Sequence, residues 1–252
     1  AAGELQVDGS AEVGMAVSQG EDMLRRARSF AEPLLAGQPF DTGEDALAHA
    51  DGVSAILQAM GAAPSMQAAA YLVYAGDYLQ RPEEVVAKSF GESHAGLVAA
   101  TRRLVQIQRA ARSANVEADR RAEQTERVRK MLLAFSRDLR VVLLRLASRL
   151  QTLRHYAASR QPCPQDLARE SMQVFAPLAN RLGIGQIKWE IEDLAFRFLD
   201  PQTYRRVASL VDERRLQREA SIEAARARLA AVLAARGLQV EVQGRPKHLY
   251  SI

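Results

Sequence analysis

Two cationic residues lie close together at the end of the sequence, in the stretch GRPKHLYSI (244–252). In an extended backbone, Arg245 and Lys247 fall on the same face because side chains alternate along a strand. Pro246 removes a backbone donor between them, which suits the edge or the end of a strand. Such a pair could grip phosphate groups, and an arginine can also stack on a nucleobase. The alternative is an ordinary exposed strand end that carries solubilising charges.

The histidines and the single cysteine form no recognisable catalytic or metal-binding motif. His49, His94, His155 and His248 occur singly, so each one alone predicts a structural or exposed side chain rather than a metal ligand. Cys163 stands between two prolines at a predicted helix start, where the helix dipole would lower the pKa of its thiol modestly. No base accompanies it. A single cysteine excludes an internal disulfide and suits a reducing cytosol.

Helical periodicity dominates the sequence and predicts a mainly α protein. The predicted helices are 19–36, 44–60, 65–75, 83–112, 118–136, 138–158, 164–182, 186–199 and 202–236. Leucines recur at helical spacing between 138 and 153, and a second stripe beside them ends in the polar residues Ser148 and Thr152. The simplest interpretation of this polar end is a helix face that leaves the core.

The periodicity changes after Gly237, a residue type that commonly ends helices. Leu238, Val240 and Val242 alternate with polar residues, which predicts a half-buried β-strand. A single strand leaves its backbone groups without partners, and nothing upstream predicts another strand. We therefore expect the rest of the sheet to lie beyond Ile252.

The composition is that of a globular protein with a mild positive charge. Of the 252 residues, 48% are hydrophobic and 25% are charged, and lysine plus arginine (34) exceed aspartate plus glutamate (30). This balance permits an anionic partner such as a nucleotide or RNA but does not require one. Apolar runs stay below the roughly 20 residues needed to span a bilayer, and the N-terminus does not follow the pattern of a signal peptide.

Two stretches closely resemble the long RelA/SpoT proteins, which make and break the alarmone (p)ppGpp. They are APLANRLGIGQIKWEIEDLAFRFLDPQTY (176–204) and GRPKHLYSI (244–252), and the similarity runs from about residue 20 to the end. In this family an all-helical HD-type hydrolase domain is followed by a helical middle, an α/β synthetase domain and regulatory domains. The resemblance implies that this chain is an N-terminal fragment whose solitary strand is the first strand of a truncated synthetase.

Family members that hydrolyse the alarmone hold a divalent ion, typically manganese, with a His, a His-Asp pair and a later Asp. By resemblance, GQPFDTGEDALAHA puts the first ligand at His49. AAAYLVYAGDYLQRP aligns with the His-Asp pair, and Val73 and Tyr74 stand there. LASRLQTLRHY aligns with the later Asp, and Ser148 stands there. One neutral imidazole offers too few donors for such an ion, so the resemblance implies a lost manganese site.

Neighbouring positions also differ from the hydrolysing members. Gln151 and Thr152 replace a His-Asn pair, and Phe40 stands where those members have an arginine near the nucleotide. Asp77, where they also carry a carboxylate, has no metal beside it, so we expect an ordinary helix-end residue. The pattern resembles the RelA branch, whose inactive N-terminal domain is thought to act as a scaffold or regulator of the synthetase. We therefore expect no catalytic residue and no bound cofactor in this chain.

The resemblance also implies the chemistry of the intact protein. It would be a cytoplasmic, magnesium-dependent GTP pyrophosphokinase of the bacterial stringent response, transferring the β,γ-pyrophosphate of ATP to the ribose 3′-oxygen of GTP or GDP. Arg245 would stack on or beside the adenine of ATP, and Lys247 and Ser251 would face its phosphates. Ribosome and tRNA would bind through C-terminal domains that are not in this sequence. The resemblance implies neither a membrane nor DNA as partner.

Four regions follow from this comparison: a loose N-terminus (1–18), an HD-type pseudo-hydrolase domain (19–160), a helical connector with the N-terminal helices of the synthetase region (161–236), and the first strand of the truncated synthetase domain (237–252). Two alternatives stay open. One is an active, metal-dependent (p)ppGpp hydrolase with a rearranged HD site. The other is a non-enzymatic helical module that binds RNA or protein through arginine-rich segments, 120–130 and 214–228.

Overall fold

The computed structural model describes residues 9–113, 138–212, 215–238 and 240–242. These residues form a mainly helical protein, as the sequence predicts. The α-helices are α1 (Gly9–Leu35), α2 (Ala46–Ala59), α3 (Pro64–Ala75), α4 (Pro82–Phe90), α5 (Glu92–Ser113), α6 (Leu139–Ser159), α7 (Gln165–Glu170), α8 (Ala176–Arg181), α9 (Gly185–Leu199), α10 (Pro201–Asp212) and α11 (Arg215–Ala235). A 3₁₀ turn, Gly76–Tyr78, follows α3, and a π-helical turn, Ser171–Phe175, joins α7 to α8.

The first helix is longer than the sequence predicts. We expected residues 1–18 to be loose, but α1 begins at Gly9, so the expectation is wrong for the described part of that segment. Extending an existing helix requires no new nucleation, and no proline precedes residue 19 to stop it. A helix that forms where α1 packs on the core therefore continues toward the N-terminus.

One long predicted helix is interrupted by a glycine. The predicted helix 83–112 divides into α4 and α5 at Gly91, whose φ of 94° lies in the region that favours glycine and that a right-handed helix does not use. The predicted helix 202–236 corresponds to α10 and α11, and residues 213 and 214 between them lie outside the described residues. The predicted helix 118–136 lies outside the described residues.

Two aspartates fix the beginnings of the helices that carry most of the site. Asp45 accepts a hydrogen bond from the backbone N–H of Ala48 at 3.0 Å, which caps α2. Asp138 caps α6 in the same way by accepting from the N–H of Arg140 at 3.0 Å. Because such caps satisfy otherwise unpaired donors, each is worth about 1 kcal/mol of helix stability.

One continuous hydrophobic core joins the helices. Helix α3 packs against α1, α2 and α5, and α6 packs against α2, α5 and α9. The fully buried leucines of α6 are Leu146, Leu150 and Leu153. These residues confirm the later part of the leucine stripe, whereas Leu139 at its start is 53% exposed, and they show that α6 runs through the middle of the protein. No helix in the described part of the chain has both the length and the apolar character needed to cross a membrane.

The predicted C-terminal strand is only partly covered by the structure. Residues 238 and 240–242 belong to no helix, and Leu238 and Val240 are each 52% exposed. The basic stretch 244–252, with the proposed ATP contacts, lies outside the described residues. The strand, its missing sheet and the role of this stretch therefore stay predictions.

Candidate functional site

A cavity of about 690 Å³ lies between α3, α5 and α6, and the loop before α2 covers part of it. Its volume is in the range of sites that bind small molecules. The cavity is lined by seven positions that the sequence comparison assigned to the hydrolase site: Phe40, His49, Val73, Tyr74, Asp77, Ser148 and Thr152. The fold therefore brings together residues that are up to about a hundred positions apart in sequence.

A buried carboxylate anchors the polar side of this site. Glu44, only 4% exposed, accepts hydrogen bonds from His49 Nδ1 at 2.8 Å and from Gln151 Nε2 at 2.7 Å. An isolated β-bridge between Pro39 and Asp45 folds the loop before α2 back on itself, and this bridge sets the position of Glu44. Because the acceptor is ionised, hydrogen bonds of this kind are stronger than those between neutral groups.

His49 is a neutral imidazole whose Nδ1 carries the proton. Nδ1 donates to the Glu44 carboxylate, so Nε2 is the acceptor, and it faces Ser148 Oγ at 3.0 Å and Tyr74 Oη at 3.2 Å. Burial lowers the pKa of His49, and this effect outweighs the opposite effect of the hydrogen bond to Glu44. The lone pair that a metal ion would use therefore faces two hydroxyl groups.

Aromatic rings fill the space around His49. Phe40 and Tyr74 both pack edge-on against the imidazole, with ring centroids 4.9 Å from it. Val73 is 5% exposed and presents only hydrocarbon to the cavity. Burial raises the pKa of Tyr74, so its hydroxyl is protonated at neutral pH and can donate to the imidazole.

Gln151 reaches Glu44 only because residue 52 is a glycine. A Cβ atom on Gly52 would lie 2.1 Å from Oε1 of Gln151 and 2.2 Å from its Cδ. Any side chain at this position would push the amide of Gln151 away from the carboxylate of Glu44. Gly52 is thus part of the site, although it contributes no polar group.

Two buried arginines of α6 line the cavity beside this network. Arg145 is 8% exposed, and it donates to Gln108 Oε1 at 3.2 Å and to Ser148 Oγ at 3.4 Å. Burial raises the pKa of Tyr74, and the positive charge of Arg145 acts in the opposite direction. The charge of Arg145 therefore acts inside the cavity.

Arg149 connects the cavity to the segment that follows it. Its guanidinium donates to the Leu167 carbonyl at 3.2 Å, to Ser171 Oγ at 3.1 Å and to Glu170 Oε1 at 3.1 Å. It also lies over the ring of Phe175, 4.2 Å from the centroid. One buried side chain of α6 thus holds both α7 and the π-helical turn.

Asp77 lies in the 3₁₀ turn at the end of α3, as we expected for a helix-end residue. Its carboxylate accepts a hydrogen bond from Arg102 Nε of α5 at 3.1 Å. Gly76 makes this contact possible, because a Cβ atom there would lie 3.0 Å from Cδ of Arg102. The carboxylate of Asp77 therefore ties α3 to α5 at the edge of the cavity.

The interpretation of the polar end of the α6 stripe as a face that leaves the core is wrong. Ser148 is 6% exposed, and Thr152 lines the cavity beside it. An internal cavity and bulk solvent both permit polar side chains, so the sequence pattern does not distinguish the two. The stripe is polar at this end because it borders a cavity that opens to solvent.

The predicted lowering of the Cys163 pKa is also wrong. Burial raises the pKa of this thiol to about 11, and the nearby charge of Arg149 offsets only part of the effect. His94 and His155 are structural, as predicted: they hydrogen bond to the carbonyls of Ser65 and Thr42, at 3.0 and 3.3 Å. Neither the cysteine nor these histidines belongs to a reactive group.

Sequence reasoning missed the charged side chains of the site. Glu44 lies among several acidic residues of a loop, where no periodicity separates a buried carboxylate from an exposed one. Arg145 and Arg149 are four residues apart inside a leucine-rich helix. Arginines on the apolar side of a helix need buried partners. The spacing of Arg145 and Arg149 could therefore have indicated that both are buried.

The side chains around His49 do not fit a divalent ion. Within the described ranges, from residue 9 to 242 with their gaps, no group of three or more His, Cys, Asp or Glu side chains is arranged to hold a metal. The nearest carboxylate, Glu44, binds the opposite nitrogen of the imidazole. The groups that face Nε2 are neutral hydroxyls, which are weak ligands for such an ion.

Residues 27–185 match the family model described as HD domain, which gives the class of the protein. The probable guanosine-3′,5′-bis(diphosphate) 3′-pyrophosphohydrolase of Synechocystis sp. is 36% identical over 244 residues, covering 94% of this chain and 31% of that protein. The GTP pyrophosphokinase of Escherichia coli K12 is 43% identical over 176 residues, covering 68% of this chain and 23% of that protein. The GTP pyrophosphokinase of Myxococcus xanthus is 34% identical over 234 residues, covering 92% of this chain and 30% of that protein.

The chain therefore belongs to the HD domain family, and it corresponds to the N-terminal HD region of the RelA/SpoT proteins, as the resemblance predicted. It spans less than a third of the length of the relatives named above. Those relatives differ in their names: one is a hydrolase, and the other two are pyrophosphokinases.

Proposed function

We propose that this chain is the N-terminal part of a GTP pyrophosphokinase of the stringent response, and that its HD domain is a scaffold or regulator without hydrolase activity. The observation that carries the proposal is the set of contacts around His49. Its Nε2 faces the hydroxyls of Ser148 and Tyr74, at positions where hydrolysing members are expected to have carboxylates.

The chemistry of metal binding supports this proposal. A divalent ion is held by several converging donors, and anionic oxygens contribute most of the attraction for a hard cation such as manganese. Replacing two such donors by neutral hydroxyls removes that attraction. Without the ion there is no activated water to attack a phosphate ester. The polar groups meanwhile hydrogen bond to one another, so the HD fold can be stable without metal.

In the intact protein, pyrophosphate transfer would take place in the part of the protein that follows the HD region. The names of the Escherichia coli and Myxococcus relatives support this activity. Arg245 would then contact the adenine of ATP, and Lys247 and Ser251 would face its phosphates. Magnesium would serve that reaction, because phosphoryl-type transfers depend on metal-assisted charge neutralisation. From the resemblance to the RelA/SpoT proteins, we also propose that the intact protein is cytoplasmic.

The proposal is tested by trying to restore the ligands. The variant Val73→His, Tyr74→Asp, Ser148→Asp, Gln151→His, Thr152→Asn is made in the full-length protein and assayed for guanosine 3′,5′-bis(diphosphate) hydrolysis with manganese. We expect no hydrolysis by the unchanged protein and measurable hydrolysis by the variant. Hydrolysis by the unchanged protein would overturn the proposal. A silent, folded variant would mean that the loss extends beyond the ligands.

The name of the Synechocystis relative favours a second candidate, a hydrolase whose metal has moved within the cavity. Asp77 and Asp41 line the cavity and are carboxylates that a relocated ion could use. This candidate predicts manganese-dependent hydrolysis that is lost in Asp77→Asn. The main proposal predicts that the unchanged protein and this variant are equally inactive.

A further inference from the structure

Three buried side chains beside the cavity form a chain of hydrogen bonds in the order carboxylate, imidazole, hydroxyl. Glu44 Oε2 accepts from His49 Nδ1 at 2.8 Å, and His49 Nε2 faces Ser148 Oγ at 3.0 Å. His49 and Ser148 both line the cavity. A hydroxyl, a base within about 2.6–3.2 Å of it and a third group that orients the base are the parts of a serine hydrolase site.

The imidazole is in the state that such a site requires. Glu44 fixes the proton of His49 on Nδ1, so the lone pair of Nε2 faces the hydroxyl of Ser148. Burial lowers the pKa of His49, which keeps the ring neutral and able to accept a proton. The carboxylate of Glu44 would stabilise the imidazolium that forms when the proton arrives.

The fold holds these groups in fixed positions. Ser148 belongs to α6, the helix that runs through the core, and His49 belongs to α2. Glu44 is held by a second hydrogen bond, from Gln151 Nε2 at 2.7 Å, and the ring of Phe40 packs edge-on against the imidazole. A rigid arrangement favours catalysis because the reacting groups need not be ordered again in each turnover.

Two hydrogen-bond donors lie beside the hydroxyl of Ser148. Nη1 of Arg145 is 3.4 Å from Oγ, and the phenol of Tyr74, which burial keeps protonated by raising its pKa, also hydrogen bonds with Ser148. In the free protein this phenol shares the Nε2 atom of His49 with Ser148, at 3.2 Å. Negative charge on the carbonyl oxygen of a substrate would draw both donors toward it, and stabilisation of this kind is among the largest contributions to acyl transfer.

We propose that Glu44, His49 and Ser148 form a catalytic triad that cleaves small carboxylic esters without a metal ion. Ser148 Oγ attacks the carbonyl carbon and forms a C–O bond, while the hydroxyl proton passes to His49 Nε2. His49 returns this proton to the leaving alcohol as the C–O bond of the ester breaks. Water then attacks the acyl-serine, gives its proton to His49, and the proton returns to Ser148 Oγ as the carboxylic acid leaves.

The cavity wall indicates which acyl groups fit. Phe40, Val73 and Val105 present hydrocarbon to a space of about 690 Å³. An apolar acyl chain would pack against these side chains while its carbonyl group lies at Ser148. Esters of short apolar carboxylic acids are therefore the expected substrate class.

Labelling with an alkyl fluorophosphonate tests the nucleophile directly. In the 252-residue chain, kept in EDTA, Ser148 Oγ displaces fluoride from phosphorus and its proton passes to His49. The product is a stable covalent adduct that peptide mass spectrometry locates. We expect one adduct per chain, on Ser148. No adduct, or an adduct only on another residue, would overturn the proposal.

Two serines of equal burial give a matched pair of variants. Ser148 is 6% exposed and Ser54 is 7% exposed, but Ser54 hydrogen bonds with Tyr71 and lies outside the cavity lining. Ser148→Ala should reduce labelling by at least about tenfold, and Ser54→Ala should leave it unchanged. Equal labelling of the two variants would overturn the proposal.

The base and the positioning residue are tested by the rate of labelling. His49→Phe should slow it by at least about tenfold, because the hydroxyl then keeps its proton. Glu44 acts through His49, so Glu44→Gln should lower the maximal rate by about tenfold while the probe concentration that gives half this rate changes by less than about threefold. An unchanged maximal rate in either variant, with circular dichroism showing a folded chain, would contradict the triad.

Ester turnover is measured with p-nitrophenyl butyrate in EDTA. We expect a rapid release of about one p-nitrophenol per chain, followed by a slower steady rate, as formation and hydrolysis of an acyl-enzyme require. Surface side chains also react with such esters, so the unchanged chain is compared with Ser148→Ala and Ser54→Ala. Loss of the rapid phase in Ser148→Ala alone would support the triad, and a rapid phase that Ser148→Ala retains would overturn it.

Metal dependence separates this reaction from the proposed function, which concerns metal-dependent cleavage of a phosphate ester. Labelling and ester turnover are both measured in EDTA, so their failure would refute the triad and leave the proposed function intact. Hydrolysis of guanosine 3′,5′-bis(diphosphate) with manganese would refute the proposed function, whatever the labelling of Ser148 in EDTA. Labelling of Ser148 without manganese-dependent hydrolysis is the result that we expect.

Discussion

Substituting the central imidazole gives the most informative test of the network. His49→Phe keeps an aromatic ring of similar size, so the edge-on contacts with Phe40 and Tyr74 can persist. The substitution removes both ring nitrogens. Glu44 then loses the donor at 2.8 Å, and the hydroxyls of Ser148 and Tyr74 lose their shared acceptor.

The expected loss of stability can be worked out from these contacts. A hydrogen bond to a charged group contributes about 1.5–3 kcal/mol, and a buried group left without its partner costs about 1–3 kcal/mol. Gln151 still donates to Glu44 at 2.7 Å, which limits the damage at the carboxylate. We therefore expect His49→Phe to lower the free energy of unfolding by about 2–4 kcal/mol at pH 7.5.

The same variant has a defined pH dependence. Burial lowers the pKa of His49 from its usual 6.5, so below pH 6.5 the unfolded chain binds a proton that the folded chain does not. The contribution of His49 to stability is therefore present above pH 6.5 and decreases as the pH falls toward the folded pKa. His49→Phe has no such group, so its deficit should shrink by at most about 1.4 kcal/mol per pH unit in that window.

Urea unfolding followed by circular dichroism at several pH values between 5 and 8 measures both effects. His94→Phe is the matched control, because His94 makes one hydrogen bond to a backbone carbonyl and lies outside the cavity lining. Its cost should stay below about 1.5 kcal/mol. A deficit for His49→Phe that grows on acidification would refute the reasoning, because it would mean that His49 is charged in the folded protein.

Two further predictions concern other parts of the structure. Gly52→Ala should be about 1–3 kcal/mol less stable than Gly96→Ala, because both gain the same helix propensity but only the methyl at position 52 displaces Gln151, whereas a Cβ atom at position 96 meets nothing within 4 Å. Equal effects in urea unfolding would contradict the packing at Gly52. Cys163, whose pKa burial raises to about 11, should react with a disulfide reagent at pH 8 at least about tenfold more slowly in the folded chain than in urea. Equal rates would mean that the thiol is accessible.

The helical architecture could be predicted from the sequence because its physical cause is local. The leucine stripe of α6 has the period of a helix, and Leu146, Leu150 and Leu153 are buried as that period requires. The break at Gly91 was missed because the surrounding residues favour a helix on both sides. Only the backbone geometry of Gly91, with φ of 94°, separates α4 from α5.

The site could be predicted only in part. The resemblance identified His49, Val73, Tyr74 and Ser148, and the structure brings all four to one cavity. The resemblance did not indicate which groups His49 contacts in place of a metal ion. Hydrogen-bond partners such as Glu44 depend on the folding of a loop. The partners of a buried group depend on tertiary structure.

The buried arginines illustrate the same limit. Arg149 contacts residues that follow it by 18 to 26 positions, across a turn whose geometry is not evident from the sequence. The charge pattern could indicate that such an arginine needs partners, but it could not identify them.

The central claim is that hydroxyls have replaced the metal ligands at His49, and manganese binding tests it most directly. The 252-residue chain is dialysed against a manganese buffer, and bound metal is then determined by elemental analysis beside His49→Phe. We predict that both proteins retain the same trace amount, well below one ion per chain. One tightly bound manganese ion per chain in the unchanged protein, absent from His49→Phe, would contradict the account.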